Sequence, residues 1–248
     1  LAKEKMRGRG KRKIYKKKEM EKITIVTCSR VSESKKSEFV NHIRNTCSIP
    51  HDLIFIDNSD GKSLTSIYSD IINTVDTDII IFIHDDIEFL SKDWGLIIYR
   101  LFSDNKDYGI IGVAGSGEFD SDCAWWNYKD KYGQVLHRKD GKSWLTSFSD
   151  EIKEDLVEVC VIDGLFMAVN KRRITRNFDT DFKGFNHYDT SFCIDNYLDG
   201  EFKIGVTSKI KVAHNSIGET KLEWFINKNL LNKKFGEYFP IKIKRKKK

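Results

Sequence analysis

A chain of 248 residues with 40% hydrophobic and 12% aromatic side chains is long and apolar enough to bury a core as one large domain. Its apolar runs fall far short of the about 18 residues of a membrane-spanning helix. The net charge of +6 hides an asymmetry, because residues 1–22 hold eleven Lys or Arg against three Glu, residues 242–248 hold six and no acid, and the body between them has 26 basic against 34 acidic side chains.

In chain order, Ile23 to Cys28 is short and β-branched and reads as a first strand, with Ser29 and Arg30 in the loop after it. Glu33 to Asn45 carries Phe39, Val40 and Ile43 at helical spacing, with Ser32 or Ser34 as N-cap. Asp52 to Ile56 is a second strand, closing in Asp57, Asn58, Ser59, Asp60 and Gly61. Leu64 to Val75 is a second helix with Leu64, Ile67, Ile71 and Val75 on one face. Ile79 to Ile83 is an unbroken apolar run, the pattern of a strand covered on both faces. This β-α-β-α-β order predicts a doubly wound parallel sheet.

Trp94 to Phe102 reads as helical and Tyr108 to Ala114 as a fourth strand. Residues 118–155 have no regular pattern and read as one long loop, functional or mobile, with Trp125 and Trp126 inside it. Leu156 to Ile162 is a fifth strand meeting Asp163-Gly164, and the short apolar stretch Leu165 to Asn170 lies beyond. Thr190 to Leu198 is a helix stopped by Gly200. Phe202 to Val206 and Lys209 to Ala213 are the last strands, His214 follows, and Lys221 to Asn232 is a closing helix.

The five cysteines are spread out, odd in number and never paired as C-x-x-C. That pattern argues against a disulfide framework or a zinc site and for a reducing compartment. The basic N-terminus is followed by no signal-peptide core, so the expected location is cytoplasmic, with peripheral contact to an anionic membrane through the basic ends as a further reading. Solvated tails are the plainer reading of the same charge blocks. Nucleic acid is disfavoured by the acidic body and by the lack of aromatic residues interleaved in the tails. The chain opens on Leu1 rather than Met, as a fragment of a longer protein would.

Polar clusters follow the predicted strands at Ser29-Arg30, Asp57 to Asp60, His84 to Asp86, Asp163 and His214. In open α/β sheets ligands bind beyond the carboxyl ends of the strands, so these clusters converge on one rim. Asp85 and Asp86 at the end of a buried strand suggest a divalent cation there; capping of the next turn is the alternative.

Several segments, taken in order, resemble those of GT-A glycosyltransferases of the family 2-like, nucleotide-sugar-dependent group. They are TIVTCSR, DLIFIDNSDG, IFIHDDIEF at the position of the DXD motif, GFNHYDTSFCIDNYLDG, and KVAHNSIGE with its terminal His. The resemblance covers roughly residues 23–225. It implies a GT-A (Rossmann-like) α/β fold with a mixed, mostly parallel sheet over residues 23–240, between basic tails at 1–22 and 241–248. It also implies transfer of a sugar from a nucleoside diphosphate sugar, uridine by family habit, to a hydroxyl on a glycan or other acceptor.

On this resemblance Ser29, Arg30, Asp57, Ser59, His84 and Asp85 hold the nucleotide sugar, and Asp86 with His214 holds a divalent metal, Mn2+ or Mg2+. Asp189 is the general base of an inverting reaction, with capping of the following helix as its plainer role. Asp163, Gly164, Trp125 and Trp126 face the acceptor; Asp163 could equally cap its turn, and one Trp could pack beneath the loop. The chain departs from the family pattern at His84, where an Asp usually stands, and at Tyr188, which replaces a Glu. Those departures keep open an alternative, a nucleotide-sugar-binding protein that has lost catalysis. The Arg-Trp signature of processive synthases is missing, the nearest segment being Leu222-Glu223-Trp224, so one sugar per encounter is expected.

Overall fold

The computed structural model describes residues 21–30, 33–149, 152–216, 218 and 220–245. The expected N-terminal tail therefore lies outside the described residues apart from Glu21 and Lys22, and so does Ser32.

The first half alternates strands and helices: β1 Ile23–Ser29, α1 Glu33–Cys47, β2 His51–Asp57, α2 Leu64–Thr74, β3 Ile79–His84, β4 Ile87–Phe89 and α3 Trp94–Asp104. Then come β5 Tyr108–Gly112, β6 Ala114–Ser116, β7 Glu118–Phe119, β8 Lys131–Lys139, β9 Lys142–Ser147, β10 Val157–Val159, β11 Val161–Ile162 and β12 Phe166–Asn170. The chain closes with α4 Tyr188–Asp199, β13 Lys203–Val206, β14 Val212–His214, α5 Leu222–Phe235 and β15 Ile241–Lys242.

The main sheet has seven strands in the order β10-β13-β5-β12-β3-β1-β2. β1 pairs in parallel with β2 and β3, and β13 with β5, while β12 and β10 run against their neighbours. Five of the seven strands thus point the same way. Ile79 to Ile83 are all buried, β3 lying inside the sheet between β1 and β12 with Phe82 packed on Tyr68 of α2 and on Phe178.

Two consequences place the site. The carboxyl ends of β1, β2 and β3 lie on one rim, with Cys28 opposite His84 and Ser29 opposite Asp57. Antiparallel β12 starts at that rim, since Phe166 pairs with Ile83, so the Asp163-Gly164 turn that feeds it is brought there too.

A second sheet, β11-β6-β8-β14-β4 with β9 beside β8, stands over the rim. This corrects the reading of residues 118–155 as one irregular loop, because β8 and β9 form a hairpin within it. Its turn, Asp140-Gly141, has φ of 52° and 74° at the two residues, the conformation that a tight hairpin favours and that Asp-Gly adopts readily. The fourth and fifth predicted strands are each split in two, so that β6 and β11 pair with each other in the second sheet.

The C-terminal basic stretch is tied to the body as far as Arg245. β15 pairs with β7, Lys242 meets Glu118 at 3.1 Å, and Arg245 meets Asp130 at 2.8 Å. All five cysteines are free thiols. Among the described residues no helix is long and apolar enough to cross a membrane.

Candidate active site

β3 ends in His84, and the turn after it carries Asp85 and Asp86 into β4. β4 pairs with β14 so that Ile87 lies opposite His214, and the Asn215 N–H donates to the Asp86 carbonyl at 2.9 Å. This ladder fixes Asp86 and His214 side by side although 128 positions separate them in the chain. The His214 Nε2 lies 3.3 Å from the Asp86 carboxylate, and the His84 Nδ1 lies 4.0 Å from the same oxygen. One ligand atom from each of His84, Asp86 and His214 falls within 4.8 Å of the others.

The tautomer of His84 follows from its partner. The Tyr188 hydroxyl donates its single proton to the Gly164 carbonyl at 2.9 Å. It lies 2.8 Å from the His84 Nε2, so in that contact the imidazole N–H is the donor. The Nδ1 lone pair is then left pointing toward Asp86, as a metal ligand requires.

Burial pushes the Asp86 carboxyl upward, but the hydrogen bond and charge of His214, with the charge of His84, outweigh it and hold Asp86 well below the usual carboxylate range. Burial lowers His84, helped by His214. His214 is raised: burial opposes its charge, and the adjacent Asp86 overcomes that. Asp86 Oδ1 is buried and makes no well-aligned hydrogen bond, despite its 3.3 Å approach to His214. A buried, incompletely satisfied carboxylate oxygen facing two imidazoles is a donor set that a divalent cation would complete.

Beside this cluster a cavity of about 330 Å³ is lined by Cys28, Ser29, Arg30, Asn58, Tyr68, His84, Asp85, Asp86 and Phe185, among others. The Ser29 hydroxyl donates to Asp85 at 2.5 Å, joining the ends of β1 and β3. The Arg30 guanidinium lies 4.9 Å over the Phe185 ring. Asp57 and Ser59 do not line this cavity. Asp57 is exposed and accepts the Ser59 N–H at 2.9 Å, which lowers its pKa. The next residue, Asn58, is buried and lines the cavity instead.

Asp189 sits in the first turn of α4, two positions inside the cap rather than at it, because His187 at φ 60° is the N-cap. Its carboxylate accepts the Gly164 N–H and the Thr190 N–H, each at 2.7 Å. Burial, with the nearby Asp163 charge, raises its pKa to about 6, against the pull of those two N–H groups. Asp163 caps its turn by accepting the Leu165 N–H at 3.0 Å. Gly164 is needed for close approach, since a Cβ there would lie 2.2 Å from the Tyr188 hydroxyl.

The turn before α4 is latched by Glu223 of α5, which accepts from the Phe185 N–H at 2.6 Å and the Asn186 side chain at 2.8 Å. Trp125, read as an acceptor contact, is only 3% exposed and packs on Phe148 at 4.8 Å between ring centroids, whereas Trp126 is 40% exposed. Trp125 thus takes the packing role, which removes its ring from contact with an incoming molecule.

The profile of the glycosyltransferase-like family matches residues 24–238. The chain belongs to this family. Solved glycosyltransferases share its fold. GalNAc-T7, solved with UDP, GalNAc and Mn2+, superposes with a TM-score of 0.58 at 9% identity, over 89% of this chain and 50% of that one. The mannosyltransferase PcManGT from Pyrobaculum calidifontis, solved with GDP-Man and Mn2+, gives 0.52 at 10% identity, over 87% of this chain and 63% of that one. This glycosyltransferase-family chain therefore spans half to under two thirds of these neighbours. At such identities the likeness is one of fold, the GT-A fold that the sequence resemblance implied. No curated protein sequence matches the chain.

Proposed function

We propose that this glycosyltransferase moves a sugar from a nucleoside diphosphate sugar to an acceptor hydroxyl, with metal dependence and inversion at the anomeric carbon. The observation that carries the reading is the His84-Asp86-His214 cluster at the edge of a cavity formed by the ends of β1 and β3. Both neighbours named above were solved with a nucleotide or nucleotide sugar and Mn2+, which supports the same ligand class here.

Ser29, Arg30, Asn58, Asp85 and Phe185 would enclose the nucleotide, with Asp57 and Ser59 at the outer rim. His84, Asp86 and His214 would hold the cation, and two imidazoles favour manganese over magnesium, which prefers oxygen ligands. When bound, the cation supplies Lewis-acid stabilisation of the departing diphosphate charge. Asp189 takes the proton of the acceptor hydroxyl as its oxygen bonds to the anomeric carbon; the bond from that carbon to the phosphate oxygen breaks, and the diphosphate leaves with the electron pair. A carboxylate with a pKa near 6 is well matched to that task at neutral pH. A single base opposite the leaving group inverts the configuration. Asp163 and Trp126 remain on the acceptor side of this reading. The acceptor is a hydroxyl on a glycan, polysaccharide, lipid-linked sugar or protein glycan.

The deciding experiment is calorimetric titration with UDP and Mn2+, together with a donor screen that follows nucleotide release. Metal-dependent UDP binding with turnover of one donor is expected. Binding with no turnover of any donor would favour the non-catalytic nucleotide-sugar-binding alternative, and no UDP binding would overturn the reading.

A further inference from the structure

α5 is apolar on two sides. Trp224, Asn227, Leu231 and Phe235 recur at helical spacing and are buried against the body. The opposite side is also apolar where the helix begins. Leu222, Phe225 and Ile226 stand at i, i+3 and i+4, so they form one patch, and they expose 75%, 51% and 57% of their surface. Asn229 and Lys233 continue that side along the helix, both exposed. Lys221 is the exposed N-cap beside Leu222. No carboxylate of α5 lies on this side, because Glu223, its one acid, is turned to the Phe185 N–H and the Asn186 side chain.

We propose that this side of α5 docks on an anionic lipid bilayer, with Leu222, Phe225 and Ile226 entering the interface and Lys221 and Lys233 meeting the headgroups. The side of a helix that faces water is ordinarily polar, so three large apolar residues within five positions call for a cover. A partner protein fits poorly, because a stable protein interface takes about 20–30 residues a side and this patch is a single helical turn. A bilayer needs only a shallow apolar wedge with basic side chains around it. Lysines stand at both ends of the patch side, which suits anionic headgroups. The sequence supplies a second signal of the same kind, since residues 1–20 hold ten Lys or Arg against two Glu. Apolar insertion combined with a polybasic segment is what makes peripheral attachment stable. The docking side does not depend on the donor reading of the cavity, yet it is joined to the cavity. Glu223, in the same turn as the patch, latches the segment that carries Phe185, and Phe185 lines the cavity.

The test is co-sedimentation of the full chain with vesicles of phosphatidylcholine alone and of phosphatidylcholine mixed with phosphatidylglycerol. The wild type should bind the mixed vesicles and bind the neutral ones at least about tenfold less. Phe225→Ser combined with Ile226→Ser should weaken binding to the mixed vesicles about tenfold or more, as expected when two apolar side chains no longer enter the interface. Lys233→Ser should weaken it about fivefold, as loss of one Lys near an anionic surface does. All three side chains are exposed, so thermal unfolding should match the wild type and show that the variants fold. Equal binding by the double variant and the wild type would leave the basic tails as the membrane contact and overturn the proposal. A wild type that binds neither vesicle, or both equally, would overturn it too. Light scattering reads the competing occupant: a wild-type dimer that the double variant splits into monomers would mean that a second copy covers this side of α5, and the bilayer would be ruled out.

Discussion

The imidazole of His84 donates to the hydroxyl of Tyr188 at 2.8 Å. These are the two positions at which the sequence departs from the family pattern, and the departures are partners. Tyr188 fixes the His84 tautomer because its own O–H donates to the Gly164 carbonyl. Tyr188→Phe should therefore leave the fold intact and weaken Mn2+ binding about tenfold or more, as loss of an outer hydrogen bond to a metal-ligating His does. Mn2+ titration followed by electron paramagnetic resonance checks this, and an unchanged affinity would separate Tyr188 from the metal site.

Asp86→Ala removes the only carboxylate of the cluster and should abolish Mn2+ binding together with the metal-dependent part of UDP affinity. His214→Ala should reduce both without abolishing them, because His84 and Asp86 remain. Calorimetry with and without a chelator reads the two effects. UDP binding by Asp86→Ala that is as strong and as metal-dependent as in the wild type would remove the cluster from the donor site.

Gly164→Ala tests the packing that holds this pair. The added Cβ would lie 2.2 Å from the Tyr188 hydroxyl and 3.0 Å from the Asp189 Cβ, both on the first turn of α4. Overpacking of this kind costs about 1–3 kcal/mol. Thermal unfolding should show the loss, and Mn2+ affinity should fall in the same variant because Tyr188 is displaced. A stable variant with full affinity would mean that α4 shifts freely.

Much of the fold is legible in the sequence because burial on both faces writes itself as apolar runs. Ile79 to Ile83 announces a central strand, and Asp86 follows it at the rim. The hairpin is harder to read, since β9 is mostly solvent-exposed and Lys142 to Ser147 carries little alternation. Asp140-Gly141 was the one local signal for it. The His84–Tyr188 bond spans 104 positions and leaves no local trace. Asp57 and Asn58 differ only in which way the end of β2 turns its side chains, a matter of one residue in register. Trp125 and Trp126 are alike in sequence and opposite in burial, because the turn of 3-10 helix at Trp125–Asn127 points one ring inward.

Asp189→Asn keeps the size of the side chain and removes its basicity, with loss of one of the two backbone N–H bonds that its oxygens accept. Donor and metal binding should be unchanged, and transfer should fall by about 10²–10⁴-fold, the usual contribution of a general base. Acceptor-dependent nucleotide release, measured beside UDP calorimetry, separates the two. Transfer at the wild-type rate would remove Asp189 from the chemistry and leave it as the clasp between α4 and Gly164.

The same carboxyl should leave two signatures of opposite sign on pH. Its folded pKa is raised from 3.8 to about 6 by burial and by Asp163. Activity needs the ionised form, so the rate should rise through about pH 6 and level off above it. Stability runs the other way, because the folded state holds this proton more tightly than the unfolded chain. The contribution is fully present below the unfolded pKa and is lost as pH rises through about 6, a change of up to about 3 kcal/mol. Other groups titrate over the same range, so the useful quantity is the difference between wild type and Asp189→Asn in urea unfolding at pH 4.5 and pH 7. Asn does not titrate and should lack this component of the slope. Parallel slopes in the two proteins would mean that Asp189 is ionised at acid pH and that its environment is wetter than its burial implies.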